Sequence, residues 1–396
     1  MNRNTTIVLA LLVATTALPV AVVGAGANAA SPSQQSDGSS DASAYAGTHV
    51  EFDTTSDAIV DYRVNGEQVF ENVTVASQSD HHSKTGLGAN TGIDAVVNLS
   101  GLGLELGATT ETRAEVQTEG SASLTAHDSE RGILTVDAGD EAQYVEVDLV
   151  GSGSAEAKSE DRVVVNSGNR TGAFVVAGDG AVTVNSAGDV TADLEKNATL
   201  VFRSYTEGER GESAKSQEQL IANGTATAEV YAEQRNDETV TDVATYGQDI
   251  TVETASESQQ RLEMTVERAK SDGTVVIASI SEAAVSGAER ADDITVTVDG
   301  EAAAQASSYG ELEGGIGEEP RYMVTQSSDA SADADVLVAI DHFSKREVSI
   351  GSADSDGSDD GSDGGADGSS GDSVPGFGAG AALVALLTGT AARIRL

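Results

Sequence analysis

Residues 143–150, QYVEVDLV, place Val145, Val147 and Leu149 on one side of an extended chain and Glu146 and Asp148 on the other. Side chains alternate across a strand, so this two-residue period predicts a strand with one face in a core. The same patterning runs outward in both directions. HVEFDT (49–54), QVFENVTVAS (68–77), AVVNLSGLGLEL (95–106), RAEVQTE (113–119) and ILTVDA (133–138) precede the segment. DRVVVN (161–166), GAFVVAG (172–178), AVTVNS (181–186), ATLVFRSY (198–205) and ATAEVYAEQ (226–234) follow it. A second series comprises DITVET (249–254), RLEMTVERA (261–269), TVVIASI (274–280), DITVTVDGE (293–301), RYMVTQ (321–326), DVLVAID (335–341) and REVSI (346–350). Short strands recurring every ~8–12 residues are the pattern of sandwiches. Asn65-Gly66, Gly178-Asp179-Gly180, Asn223-Gly224, Asp272-Gly273 and Asp299-Gly300 offer the positive φ that tight hairpins need. EAAAQASSYGELEG (301–314) is the best helical candidate, Ala-rich and closed by glycine. The expectation is an all-β fold with two antiparallel sandwich-like regions, 46–245 and 246–350, split near Tyr246.

The totals narrow the partners. Acidic residues number 65 against 22 basic ones, a formal net charge of −43. Nucleic acid and anionic membrane surfaces would be repelled. Self-repulsion at this level destabilises a compact state in dilute buffer, and concentrated salt relieves it. Arg outnumbers Lys sixteen to six, and such an acidic, Lys-poor chain resembles the proteins of salt-loving archaea. With no Trp and 4% aromatic residues, the cores are expected to consist of Val, Ile, Leu and Ala. The absence of cysteine removes disulfides and thiolate chemistry.

Both ends read as addresses. MNRNTTIVLALLVATTALPVAVVGAGANAA places Arg3 before an apolar run, Ile7 to Val23, and an A-x-A site at Ala27-Asn28-Ala29. That is the layout of a secretory signal peptide over 1–29, cleaved near Ala29. A polar linker, 30–45, is expected to be disordered. Residues 351–374 form an Asp/Gly/Ser-rich stalk with seven Asp and no basic group, which cannot bury a core. Asp354 and Asp356 begin like a calcium loop, but the required Gly and Glu do not follow. Gly378 to Ala392 is a short hydrophobic run, an expected anchor helix, followed by Arg393 and Arg395, which would stay cytoplasmic. The order Pro375-Gly376-Phe377, hydrophobic run, terminal arginines resembles the PGF-type C-terminal sorting signal (PGF-CTERM) of haloarchaeal surface proteins. That resemblance, over 375–396, implies an archaeosortase-type processing enzyme as partner and a lipid anchor on the membrane. It also implies a body outside the cell among surface-layer glycoproteins. The stalk departs from the Thr-rich stalks of many such proteins.

Little in the body points to catalysis. Asp80, His81 and His82 are the one close group of metal-ligand types, in SQSDHHSKTGLG, and would converge on an ion only in a loop. His342 follows Asp341 on a strand, where alternation puts them on opposite faces. GLGANTG (86–92) and GLGLELG (101–107) miss the dinucleotide fingerprint by one residue and lack a βαβ setting. Asn72, Asn98, Asn169, Asn197 and Asn223 begin Asn-x-Ser/Thr sequons and are candidate glycan sites. No catalytic residue and no cofactor is implied. The expected role is a structural or adhesive surface glycoprotein. The alternatives are a surface binding module for a sugar, peptide or calcium, and an exported hydrolase built on His81 or His82.

Overall fold

A computed structural model describes residues 43–79, 101–236, 238–247, 249–258, 261–270, 272–281, 293–326, 334–342 and 345–352. Its strands form four sheets. In the first the order is Ser43–Ala46, Val50–Thr54, Ile59–Val64, Phe70–Ser77, Gln143–Leu149, Val190–Leu194 and Gly180–Val184, with Glu67–Gln68 added beside Ile59–Val64. In the second it is Ser154–Ser159, Arg162–Ser167, Arg170–Ala177, Thr199–Thr206, Ile133–Asp137, Ser123–His127, Arg113–Thr118 and Leu104–Thr109. The third runs Glu238–Thr245, Ala226–Arg235, Asp272–Ile280, Ala334–His342, Arg321–Gln326 and Ala304–Gln305. The fourth runs Ile250–Ser258, Arg261–Arg268, Lys345–Ser352, Ile294–Val298 and Glu301–Ala302. Pairing is antiparallel except between Ala226–Arg235 and Asp272–Ile280, and between Ala304–Gln305 and Arg321–Gln326.

The first two sheets close on one core and the last two on another. The all-β, sandwich-like expectation holds. The aromatic expectation does not hold for the first core. Phe52, Tyr62, Phe70, Phe174 and Phe202 form a continuous ring chain there, with Phe70 and Phe202 edge to face at 4.5 Å. The few aromatics are concentrated, and such pairs add ~0.5–1.5 kcal/mol beyond area burial. In the second core Tyr322 stands among Val, Ile, Leu, Met and Ala.

A third core joins the two sandwiches. In Arg170–Ala177, Phe174 and Val176 face the first sheet, whereas Ala173, Val175 and Ala177 face the other way. In Asp272–Ile280, Val276, Ala278 and Ile280 face the fourth sheet, whereas Val275 and Ile277 face back. The central strands of the second and third sheets are therefore buried on both faces. Helix α1, Glu212–Ala222, packs Leu220 and Ile221 into this middle layer. A second, short helix α2, Tyr309–Glu313, adds Leu312. The layer order is sheet one, two, helix and junction, three, four.

Several local expectations change. Asn223-Gly224 closes α1 instead of a hairpin. Gly224, at φ +69°, donates to the Ile221 carbonyl, and Thr225 donates to Leu220, the paired bonds of a Schellman cap. Asp272-Gly273 opens a strand; a side chain on Gly273 would strike the Ile340 carbonyl. Asn65-Gly66 and Asp299-Gly300 do have positive φ at both residues, as a type I′ hairpin requires. Of the segment 301–314, only Tyr309–Glu313 is α-helical, and Glu301–Ala302 and Ala304–Gln305 lie on sheet edges. The boundary between sandwiches falls at α1, not near Tyr246, because Ala226–Arg235 and Glu238–Thr245 pair in the third sheet. Strands also reach out to Ser43 and Ser352, trimming the expected linker and stalk. The signal peptide, sorting signal and GLGANTG lie outside the described residues.

Candidate functional site

Charged side chains cross the layer between the sandwiches. Arg203 sits on Thr199–Thr206, on the face opposite Phe202, and is fully buried. Its Nη2 donates to Glu229 Oε1 at 3.0 Å and to Gln217 Oε1 at 2.8 Å. Arg131, from the loop before Ile133–Asp137, donates to the same Glu229 oxygen at 2.6 Å and holds both Asp335 oxygens at 2.7 and 2.6 Å. Gln217 of α1 donates to Asp335 at 2.8 Å, and Tyr246 donates to Glu229 Oε2 at 2.5 Å. Ser279 donates to Asp335 at 2.7 Å and accepts from Arg131. The two arginines come from the first sandwich, and both carboxylates come from the second. Burial alone would raise the Glu229 carboxyl, but Arg203 and Arg131, with the Tyr246 hydroxyl, hold it down to about 2.

Beside this network lies a cleft of about 370 Å³. Its outer wall depends on Asp128. The carboxylate accepts the backbone N–H of Thr48, His49 and Val50, each at 2.7 Å, and Arg235 Nη1 at 2.9 Å. Arg235 belongs to the second sandwich and also donates to the Asp128 and Glu111 carbonyls, so this is a second tie across the junction. His49 completes it, with Nε2 3.2 Å from Glu233 Oε2 and Nδ1 2.9 Å from Asn65 Oδ1. Burial would lower the His49 pKa, but the bonds to Glu233 and Asn65 outweigh it and the net shift is upward. Burial would likewise raise Glu233, yet His49 and Arg235 lower it.

A raised imidazole pKa makes the His49 tie strongest below the unfolded value of ~6.5. Its contribution is lost as pH rises through the higher folded value. Chemical unfolding in concentrated KCl is therefore expected to show stability declining as pH rises above the unfolded value of about 6.5. His49→Gln should flatten that decline; an unchanged slope would remove His49 as its source.

A further histidine crosses nearby: His127 Nδ1 lies 2.7 Å from Asp242 Oδ2, with both side chains buried. Sequence reading singled out neither this pair nor any member of the arginine network. His342 does not face away from Asp341: at the end of its strand the side chain turns back to hydrogen-bond it at 2.5 Å. Asp80, His81 and His82 lie outside the described residues, as does Asn98. Among the described residues no group of three or more His, Asp or Glu is arranged to hold a metal ion, and no helix is long and apolar enough to cross a membrane. Asn169, Asn197 and Asn223 are exposed, at turns or at the α1 cap. Asn72 is half-buried mid-strand and donates its amide to Asp148 at 2.6 Å.

The fold and cleft define a two-sandwich, all-β protein with an ion-paired junction. No family model matches the chain, and no curated protein matches it. Among solved structures it is similar to a glycoside hydrolase family 81 protein from Clostridium thermocellum, at TM-score 0.33 and 9% identity. The match covers 76% of this chain and 34% of that one, so the chain spans about a third of its length.

Proposed function

We propose that this protein is a structural or adhesive glycoprotein of a salt-loving archaeon, exported and anchored at the cell surface among surface-layer glycoproteins. The observation that carries the reading is the junction. An apolar layer, a helix and a buried ion network join the two sandwiches into one body instead of leaving a flexible linker. A stiff two-sandwich spacer suits display above a surface lattice. Its charge groups at the junction serve one another. The last described strand, Lys345–Ser352, lies in the fourth sheet, so a C-terminal anchor would put that sheet nearest the membrane and the aromatic first sandwich outward. Asn169, Asn197 and Asn223 offer exposed glycan positions.

The test is an intact mass of the protein extracted from native membranes. The expected species lacks residues 1–29 and the tail beyond Pro375-Gly376-Phe377, and is heavier by lipid and hexose units. An unmodified chain running from Met1 to Leu396 would overturn the reading.

A further inference from the structure

His49 lies between Ser43–Ala46 and Val50–Thr54, in the wall of the junction cleft, and its ring spans both sandwiches. Nδ1 meets Asn65 Oδ1 at 2.9 Å on its own sandwich, and Nε2 meets Glu233 Oε2 at 3.2 Å on the other. Both partner atoms are oxygens that accept. An imidazolium has two N–H donors and satisfies both oxygens. A neutral imidazole keeps one donor and turns a lone pair toward the other oxygen. The fit is to the charged ring.

The surrounding charges let the ring leave alone. Arg235, on the same strand as Glu233, donates to that Oε2 from Nη2 at 3.0 Å and from Nε at 3.3 Å. Glu233 therefore keeps a cation when the imidazole withdraws. Asp128, from the loop after Ser123–His127, adds its negative field at the ring but spends its oxygens on Arg235 and three backbone amides. One of those amides is that of His49 at 2.7 Å, so the backbone stays while the side chain is free to turn. Across the cleft, Glu130, Arg131 and Asp335 complete the charged lining. With His49 protonated, the three cations Arg131, Arg235 and His49 balance the three anions Glu130, Glu233 and Asp335. Deprotonation leaves one negative charge in excess.

We propose that the His49 side chain is a pH-operated latch on the junction cleft. It is closed across to Glu233 while the ring is an imidazolium, and it swings out to solvent once the ring has given its proton to water. The release is local: the Arg203 layer and the Asp128–Arg235 tie do not use the imidazole, so the sandwiches stay joined while the cleft wall opens. This goes beyond the structural role and does not depend on the anchor.

NMR of the full chain in concentrated KCl tests it, with histidine labelled at Cε1 and a neutral nitroxide as the dissolved probe. His127 and His342, with side chains 4% and 67% exposed, are the shielded and open references for His49 at 16%. His49→Gln identifies the His49 signal. At about pH 5.5 the nitroxide should relax the His49 ring proton little more than that of His127, and at about pH 9.5, far above the ~6.5 of a free imidazole, nearly as much as that of His342. Asn65→Asp presents an acceptor that cannot flip to a donor and should move the midpoint of this change to higher pH. Asn65→Gly keeps the positive φ of the turn, removes the acceptor and should move the midpoint lower. A His49 ring shielded like His127 at both pH values, or one midpoint shared by wild type and both Asn65 variants, would overturn the proposal. None of these outcomes bears on the mass of the anchored species.

Discussion

Glu229→Gln is expected to lower the unfolding free energy by about 3–5 kcal/mol, among the largest effects of any single substitution in the chain. Glu229 is fully buried and lies between Arg203 and Arg131. Neutralising it leaves Arg203 with Gln217 and the face of Tyr205, 5.7 Å away, as its remaining company. An unpaired buried guanidinium is far costlier than a missing pair. The double variant Arg203→Met/Glu229→Leu should therefore recover much of the loss. Denaturant unfolding in concentrated KCl measures both. Because the network joins the sandwiches, Glu229→Gln should also separate one cooperative transition into two. A single transition shifted by less than about 0.5 kcal/mol, the size of an ordinary surface substitution, would mean the junction does not depend on this carboxylate. The pH dependence follows from its depressed pKa. The contribution is complete above the unfolded carboxyl value, ~4.3, and is lost as pH falls toward the folded value of about 2.

The sequence carried the strands more clearly than their layering. Val50–Thr54 alternates buried and exposed residues, and Arg261–Arg268 buried and half-buried ones, as their two-residue period predicts. GAFVVAG, TVVIASI and DVLVAID read differently: they are near-continuous apolar runs, the mark of a strand covered on both faces. Those runs mark the second and third sheets, and so the junction. Helix α1 was hidden for a related reason. ESAKSQEQLIA buries Gln217 and Glu218 as well as Leu220 and Ile221, and its polar members become core only because Arg203, Arg210 and Asp335 meet them. The site was fainter still. In a chain with 65 acidic residues, Glu229 and Asp335 are anonymous. One signal was present: Arg203 follows the apolar run Leu200-Val201-Phe202 on a buried strand, and a charge on a doubly buried strand requires a buried partner. Which carboxylate answers it depends on packing between strands far apart in sequence.

Asp128→Ala should cost about as much as Glu229→Gln, by a different route. The carboxylate satisfies three consecutive backbone N–H groups at the start of Val50–Thr54 and pairs with Arg235 from the other sandwich. Its removal leaves the Val50 amide buried without an acceptor and a guanidinium short of its counter-charge, at ~1–3 kcal/mol for the amide alone. Asp128→Asn keeps one acceptor oxygen and should fall between wild type and Ala. Gly47→Ala supplies an independent arm without touching the charge. A methyl group on Gly47 would sit 2.4 Å from the Asp128 Cγ, so the carboxylate must withdraw from its three amides. Native-state hydrogen exchange resolves the mechanism. Thr48, His49 and Val50 amides are expected to exchange slowly in the wild type and to lose protection together in Asp128→Ala and Gly47→Ala. If Gly47→Ala stays within about 0.5 kcal/mol of wild type with these amides still protected, Asp128 is not the clamp of this edge. If the amides open while the Arg203 layer keeps its stability, the two ties across the junction act independently, and the cleft wall can loosen without parting the sandwiches.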